Sequence, residues 1–318
     1  MDRYRFYQIC GITSDLAMEA HALLRGATRQ EVPGVKEEKE SHPQAQVSII
    51  TIFNEAGARA LGKPQGTYIT IEAPSLLVAD PPAHEAVARL VGEKLSSLLA
   101  SLQVGPTDPV LVVGLGNWQA TPDSLGPKVV GDFTVTRHLC KYAPQSLPPG
   151  SRPVSALAPG VLGTTGIETA EIIRGVVDRT QPKAVIAIDA LAATDLRRIG
   201  TSIQITNTGI SPGSGVGKQR AAINRQTMGV PVVAVGIPTV VPAATIIYET
   251  LSQGAALFPG IDGSQLVQKI LQPFGGNLTV TPKEIDDLIA NLAWVVGAAL
   301  NQSLHTTLLQ TRTALPLH

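Results

Sequence analysis

The chain has 318 residues, 44% of them hydrophobic, and its 25 basic residues are balanced by 25 acidic ones. With no basic stripe and no acidic tail, that balance argues against a nucleic-acid binder or a protein with a strongly charged partner. Two cysteines, Cys10 and Cys140, are too few for a disulfide framework and read as reduced thiols of a cytoplasmic protein.

Residues 1–12 show no clear periodicity and read as a removable or mobile arm. The opening MDRYRFYQICGITSD carries charges but no apolar run, unlike a signal peptide. Ser14 is placed to cap a helix over residues 15–25, with Leu16, Ala20, Leu23 and Leu24 on its apolar side. Residues 31–46 are charged, hold Pro33 and Pro43, and read as an exposed loop. Residues 47–53 and 67–72 read as strands of a small antiparallel addition, separated by a short helix over 54–61 that stops at Gly62. Residues 82–102 form a strong amphipathic pattern through Val87, Leu90, Val91, Leu95, Leu98 and Leu99.

Val110-Leu111-Val112-Val113 is too short for a helix and rich in β-branched residues, as in a strand buried on both faces. Gly114, Gly116 and Asn117 break it, and Thr121 and Pro122 restart the chain as an N-cap and first helical residue. Asp123 is thereby placed just past the carboxyl end of a central strand, where ligand sites of open α/β sheets gather. A helix is expected over 133–142, carrying Arg137 and His138, then a Pro-rich loop and a strand over 154–157. Thr165, with Glu168 three residues on, has the spacing of a capping box for the next helix. Residues 184–188 are a second buried strand, and Asp189 follows at once.

A helical turn over 196–199, a strand over 202–206, a glycine-rich loop over 209–217 and a helix over 218–228 come next. Residues 229–248 are uncharged over a membrane-spanning length, but Pro231, Pro238 and Pro242 argue against one helix. They read as a third buried strand, a turn at 236–238, and a helix from Pro242. Helices over 264–271 and 282–300 close the chain. Strand and helix alternate, which implies an α/β fold with a mostly parallel sheet in a single unit.

Nucleotide motifs fail. Gln119 stands where a dinucleotide fingerprint needs its third glycine after Gly114 and Gly116. Pro212 and Gln219 flank Gly217-Lys218 where a phosphate loop needs glycine and a hydroxyl residue. No HExxH or GxSxG is present, and the histidines are scattered. Two strands each delivering an aspartate leave a carboxylate pair, Asp123 and Asp189, as the best chemistry. Two close carboxylates cannot both ionise easily, so one keeps a proton while the other polarises water. The same pair could hold a divalent ion, with His138 nearby, or the glycine loops could grip an extended peptide without catalysis.

These segments resemble the spore germination proteases, endopeptidases of endospore-forming bacteria that degrade small acid-soluble spore proteins. The resemblance lies in residues 14–20, in VVGLGNWQATPDSLGPKVV from Val112, in TRHL from Thr136 and in SALAPGVLGTTGIET from Ser155. It continues through AVIAIDALAA from Ala184, IQITNTGISPGSGVG from Ile203, GVPVVAVGIPTVV from Gly229 and VTPKEID from Val280. It implies a three-layer α/β sandwich, similar to the hydrogenase maturation endopeptidases, and catalytic aspartates at Asp123 and Asp189 with no cofactor and no resident metal. Asn117, Thr164, Thr165, Gly213 and Gly215 become candidate substrate-binding residues. It also implies a tetrameric zymogen of the spore core that acts on small acid-soluble spore proteins, without nucleic-acid or membrane partners. Residues 1–13 would be a self-cleaved propeptide and 14–318 one protease domain. The chain departs from the pattern at Thr194, Lys218 and Pro242, and lacks a polar insertion after Ile247.

Overall fold

The computed structural model describes residues 3–28, 31–213, 220–254, 263–275 and 278–308. Residues 3–9 are not a featureless arm: helix α1 (Arg3–Ile9) buries Phe6 and Tyr7, and Phe6 packs on Tyr248 with ring centroids 4.7 Å apart. Helix α2 (Ala17–Thr28) starts later than expected, because Ser14 acts before it: its Oγ accepts from Leu16 N–H and donates to the Glu19 carboxylate.

The charged stretch expected to be a loop contains strand β1 (Val35–His42), paired antiparallel with β2 (Ala45–Ile52). Its charges hid it, because none of its residues is fully buried and it lies at a sheet edge, where charge blocks unwanted pairing. Helix α3 (Glu55–Leu61) is capped by Asn54, whose side chain accepts from Gly57 N–H, and ends at Gly62 in the left-handed region. Strand β3 (Gly66–Glu72) and helix α4 (Pro81–Ser101) follow, the latter burying the apolar face read from its periodicity.

Strand β4 (Val110–Gly114) leads to α5 (Leu125–Asp132) and α6 (Arg137–Tyr142). The helix expected over 133–142 is interrupted, because Phe133 turns extended and buries its ring against His305, while Thr136 exchanges hydrogen bonds with Val154. Strand β5 (Val154–Leu157) precedes the one-turn α7 (Leu162–Thr165) and then α8 (Thr169–Thr180). Thr165 therefore ends one helix rather than capping the next; Gly166, left-handed, makes the break.

Strands β6 (Ala184–Ala192) and β7 (Ser202–Thr206) follow. The helix expected over 218–228 shrinks to α9 (Arg225–Met228), since Ile223 bridges Ile210 and Asn224 supplies the cap; Lys218 lies outside the described residues. Strand β8 (Val232–Pro242) runs through the turn expected at 236–238. Pro238 is tolerated because β7 pairs with β8 only as far as Gly236, so its missing N–H deprives no β7 residue. Helices α10 (Ala243–Gln253) and α11 (Gly263–Leu271), strand β9 (Thr279–Val280) and helix α12 (Ile285–Leu304) complete the described chain.

The strand order is β1-β2-β3-β7-β8-β6-β4-β5, with β9 on β8. The centre, β8-β6-β4-β5, is parallel, and the antiparallel addition is larger than expected: β1, β2, β3 and β7. Alternate residues of the central strands enter opposite cores. Val110, Val112, Ile186 and Ile188 pack with α4 and α12, whereas Leu111, Val113, Val185 and Ala187 pack with α8 and α9. The result is a three-layer α/β sandwich, the fold class expected. No helix among the described residues is long and apolar enough to cross a membrane.

Candidate active site

Strand β4 ends at Gly114, opposite Ile188 of β6. From Asp189 onward β6 continues past β4 beside β8, with Asp189 opposite Gly236. Asp189 thus lies within its strand, at the first position beyond the end of β4. The chain leaving β4 turns back over this step. Leu115 N–H still reaches the Ile188 carbonyl at 2.7 Å, and Gly116 then adopts φ +112°. A tight helical turn, Thr121–Asp123, delivers the second carboxylate. Thr121 begins this turn and caps nothing through its side chain; Ala120 stands at the cap position.

Two features press that turn against the sheet. Gly126 of α5 lies where a Cβ would come 2.4 Å from the Leu115 carbonyl and 2.6 Å from that of Ile188. Only glycine allows so close a helix–strand approach. On the other side, the register of β8 against β6 slips between Leu191 and Ala192, which leaves Thr239 out of the ladder. Its hydroxyl donates to the Pro122 carbonyl at 2.7 Å.

Asp123 and Asp189 line one cavity of about 620 Å³. Asp189 is 6% exposed; burial, then the charges of Asp123 and Asp15, push its carboxyl well above the usual range, against one hydrogen bond from Ala190 N–H. Burial also raises Asp123, but the Asn117 N–H, 2.8 Å from its Oδ2, favours the ionised form. The pair is therefore unequal. Asp189 is the group that holds a proton, and Asp123 the group that gives one up first.

Of the candidate substrate-binding residues, Asn117 and Gly213 line the cavity. Asn117 acts on Asp123 through its backbone, while its side chain accepts from Gln119 N–H. Thr164 and Thr165 stand exposed on α7, outside the cavity wall, with both hydroxyls bonded to the Val161 carbonyl. Gly215 lies outside the described residues. His138 is exposed on α6 and does not line the cavity. Among the described residues, no group of three or more His, Cys, Asp or Glu side chains is arranged to hold a metal ion.

Sequence reasoning missed Asp15 at the site. Read as the start of a helix, it instead precedes α2 and lines the same cavity. Its N–H donates to the Ala192 carbonyl, and its Oδ2 accepts from Ala192 N–H at 2.9 Å. Glu19, one turn into α2, is buried and accepts from both the N–H and the hydroxyl of Thr194. The signal available was the family resemblance carried by residues 14–20.

The family model described as germination protease matches residues 13–253 and 256–315. A germination protease of Caldanaerobacter subterraneus is 45% identical over 98% of this chain and 99% of its own length. Those of Clostridium acetobutylicum and Bacillus subtilis are 41% and 39% identical, covering 93% and 92% of this chain and 96% and 93% of their own lengths. A match spanning both aspartates and nearly all of the sandwich makes this chain a member of the germination protease family, the endopeptidases of spore germination.

Proposed function

We infer that the chain is an aspartic-type endopeptidase that cuts small acid-soluble spore proteins during germination, with Asp123 and Asp189 activating water. The observation that carries this reading is the unequal pair: two carboxylates in one cavity, the more buried one driven toward its neutral form. Ionised Asp123 takes a proton from water as its oxygen attacks the peptide carbonyl. Protonated Asp189 donates to the carbonyl oxygen as negative charge develops there. Transfer of the proton held by Asp123 to the amide nitrogen then lets the C–N bond break, while Asp189 takes back a hydroxyl proton from the collapsing gem-diol, which leaves a carboxylic acid, a free amine and the pair in its starting protonation state.

The same site supports self-processing. Asp15 lies in the cavity with the pair, so the chain's own N-terminal segment passes the site. In this reading residues 1–13 are a propeptide, 14–318 are the protease domain, and α1 is released after the cut. In this reading the chain also assembles as a homotetramer and resides in the spore core.

The test is intact-mass spectrometry of the full chain incubated with a small acid-soluble spore protein, beside Asp123→Asn and Asp189→Asn. The wild type is expected to shorten itself and cut the substrate, and neither variant to do so. Substrate cleavage at the wild-type rate by either variant overturns the carboxylate pair.

A further inference from the structure

The cavity of the aspartate pair continues, past Asp15, Leu191, Ile210 and Ser211, into a second groove of about 540 Å³. Thr13 and Ser14 of the chain's own N-terminal segment line it together with Lys63. The lysine is firmly presented. It follows the left-handed Gly62 at the end of α3, and its own N–H donates to the Ala58 carbonyl at 3.1 Å.

Lys63 Nζ donates to the backbone carbonyl of Ser14 at 2.9 Å. Burial pushes its pKa down, while the negative charges of Asp15 and Glu19 favour its ammonium form. Downstream, the segment is held mainly through its backbone. The Asp15 carbonyl accepts from Gln204 Nε2 at 3.1 Å, and Ala17 N–H donates to Gln204 Oε1 at 2.8 Å. Ala192 takes the Asp15 N–H and donates to its carboxylate. Lys63 contacts the chain upstream of Asp15; with residues 1–13 removed, Ser14 and Asp15 form the new N-terminus, which an incoming peptide displaces to reach the lysine. A charge-assisted hydrogen bond to a main-chain carbonyl holds any peptide there, whatever its side chain.

We propose that Lys63 is a substrate-positioning residue: it anchors the carbonyl of the residue preceding an acidic side chain, and the groove beside it receives the N-terminal side of an extended peptide. The ligand class is a polypeptide whose acidic residue takes the place of Asp15. The inference rests on the peptidase reading above, and adds to it the means by which the upstream half of a substrate is held.

The test offers the peptide ITSDLAMEA, this chain's own residues 12–20, to the full chain after it has processed itself. Lys63→Met is expected to lower kcat/KM by about ten-fold or more, chiefly through KM, and Lys63→Arg to restore most of it. A second peptide carries a thioamide at the Ser14 carbonyl, a weaker acceptor. It should be a poorer substrate for the wild type and bring no added penalty in Lys63→Met, a coupling that a merely structural lysine would not show. A Lys63→Met enzyme within about two-fold of wild type overturns the proposal, as does a thioamide penalty equal in both enzymes. Should Lys63→Met fail to fold, the thioamide decides alone: a wild type indifferent to it overturns the proposal, and a sensitive one supports it. A wild type that cuts neither itself nor the peptide removes the peptidase reading and this inference together. Wild-type cleavage that ignores Lys63 removes the inference alone.

Discussion

A Cβ on Gly116 would stand 2.0 Å from the carbonyl oxygen of Asp123. The residue that reverses the chain after β4 is therefore in contact with the backbone that carries the carboxylate. Gly116 also sits at φ +112°, which side-chain-bearing residues rarely adopt. Gly116→Ala is expected to cost about 2–3 kcal/mol of stability and to displace Asp123. Denaturant unfolding and peptidase rate, measured on one preparation, should both fall; an alanine variant equal to wild type in both would show that the close approach is dispensable.

The unequal pair sets a pH profile. In the proposed mechanism Asp123 acts ionised and Asp189 protonated, so kcat/KM should form a bell. Its acid limb follows Asp123, raised by burial above 3.8, and its alkaline limb follows Asp189, raised further by burial and by the charges of Asp123 and Asp15. The whole bell is thus displaced upward from that of two exposed carboxyls. Replacing either aspartate by asparagine should cost about 10²–10⁴-fold in rate. A rate independent of pH between 4 and 8, roughly, would contradict the assignment.

Stability and activity should part company at Asp189. A carboxyl whose folded pKa is raised binds more protons folded than unfolded, so its contribution worsens as pH rises from the unfolded value through the folded one and is constant above it. At neutral pH, Asp189→Asn removes this linkage cost and should raise the melting temperature by about 2 °C or more. The gain should shrink as the medium is acidified toward the unfolded-state value. Calorimetry of both forms across pH measures this; an asparagine variant less stable than wild type at neutral pH would argue against the buried-carboxyl account.

Arg198 lies between two carboxylates, with Nε 3.2 Å from Glu19 Oε1 and Nη1 in hydrogen-bond contact with Glu72. Glu19 is almost wholly buried, so removing its cation strands a charge; Glu72 is a third exposed and contributes less. Arg198→Met is expected to cost about 3–5 kcal/mol, and adding Glu19→Gln should return part of it. Urea unfolding of the single and double variants measures the coupling, and equal midpoints for the single variant and wild type would show that the pair contributes nothing.

The legible parts of the fold were those where pattern and burial agree. Val110 to Val113 and Ala184 to Ile188 are apolar on both faces, so the central strands and the aspartates beyond them stood out. Strand β1 was illegible, because its Lys and Glu residues face water at an edge and carry no periodic apolar signal. The path of β8 through Pro238 was also hidden, since the proline's harmlessness depends on where β7 stops, a tertiary fact. Asp15 was missed for a similar reason. Its place in the cavity is fixed by Ala192, 177 residues away in sequence, and no local pattern reports that. Thr164 and Thr165 entered as candidates through the family resemblance, and the structure shows both hydroxyls bonded within their own helix turn.

The charged strand at the sheet's border has a further consequence. A wide sheet ending in an open ladder presents free N–H and C=O groups that any spare strand can zip onto, the first step of fibre growth. On β1 that ladder is screened by the exposed Lys36, Glu38 and Lys39, whose alternating signs would have to be stripped of water before a newcomer could dock. Many copies can therefore crowd together without polymerising along this margin, and neutral substitutions there should show themselves as turbidity rather than as lost catalysis.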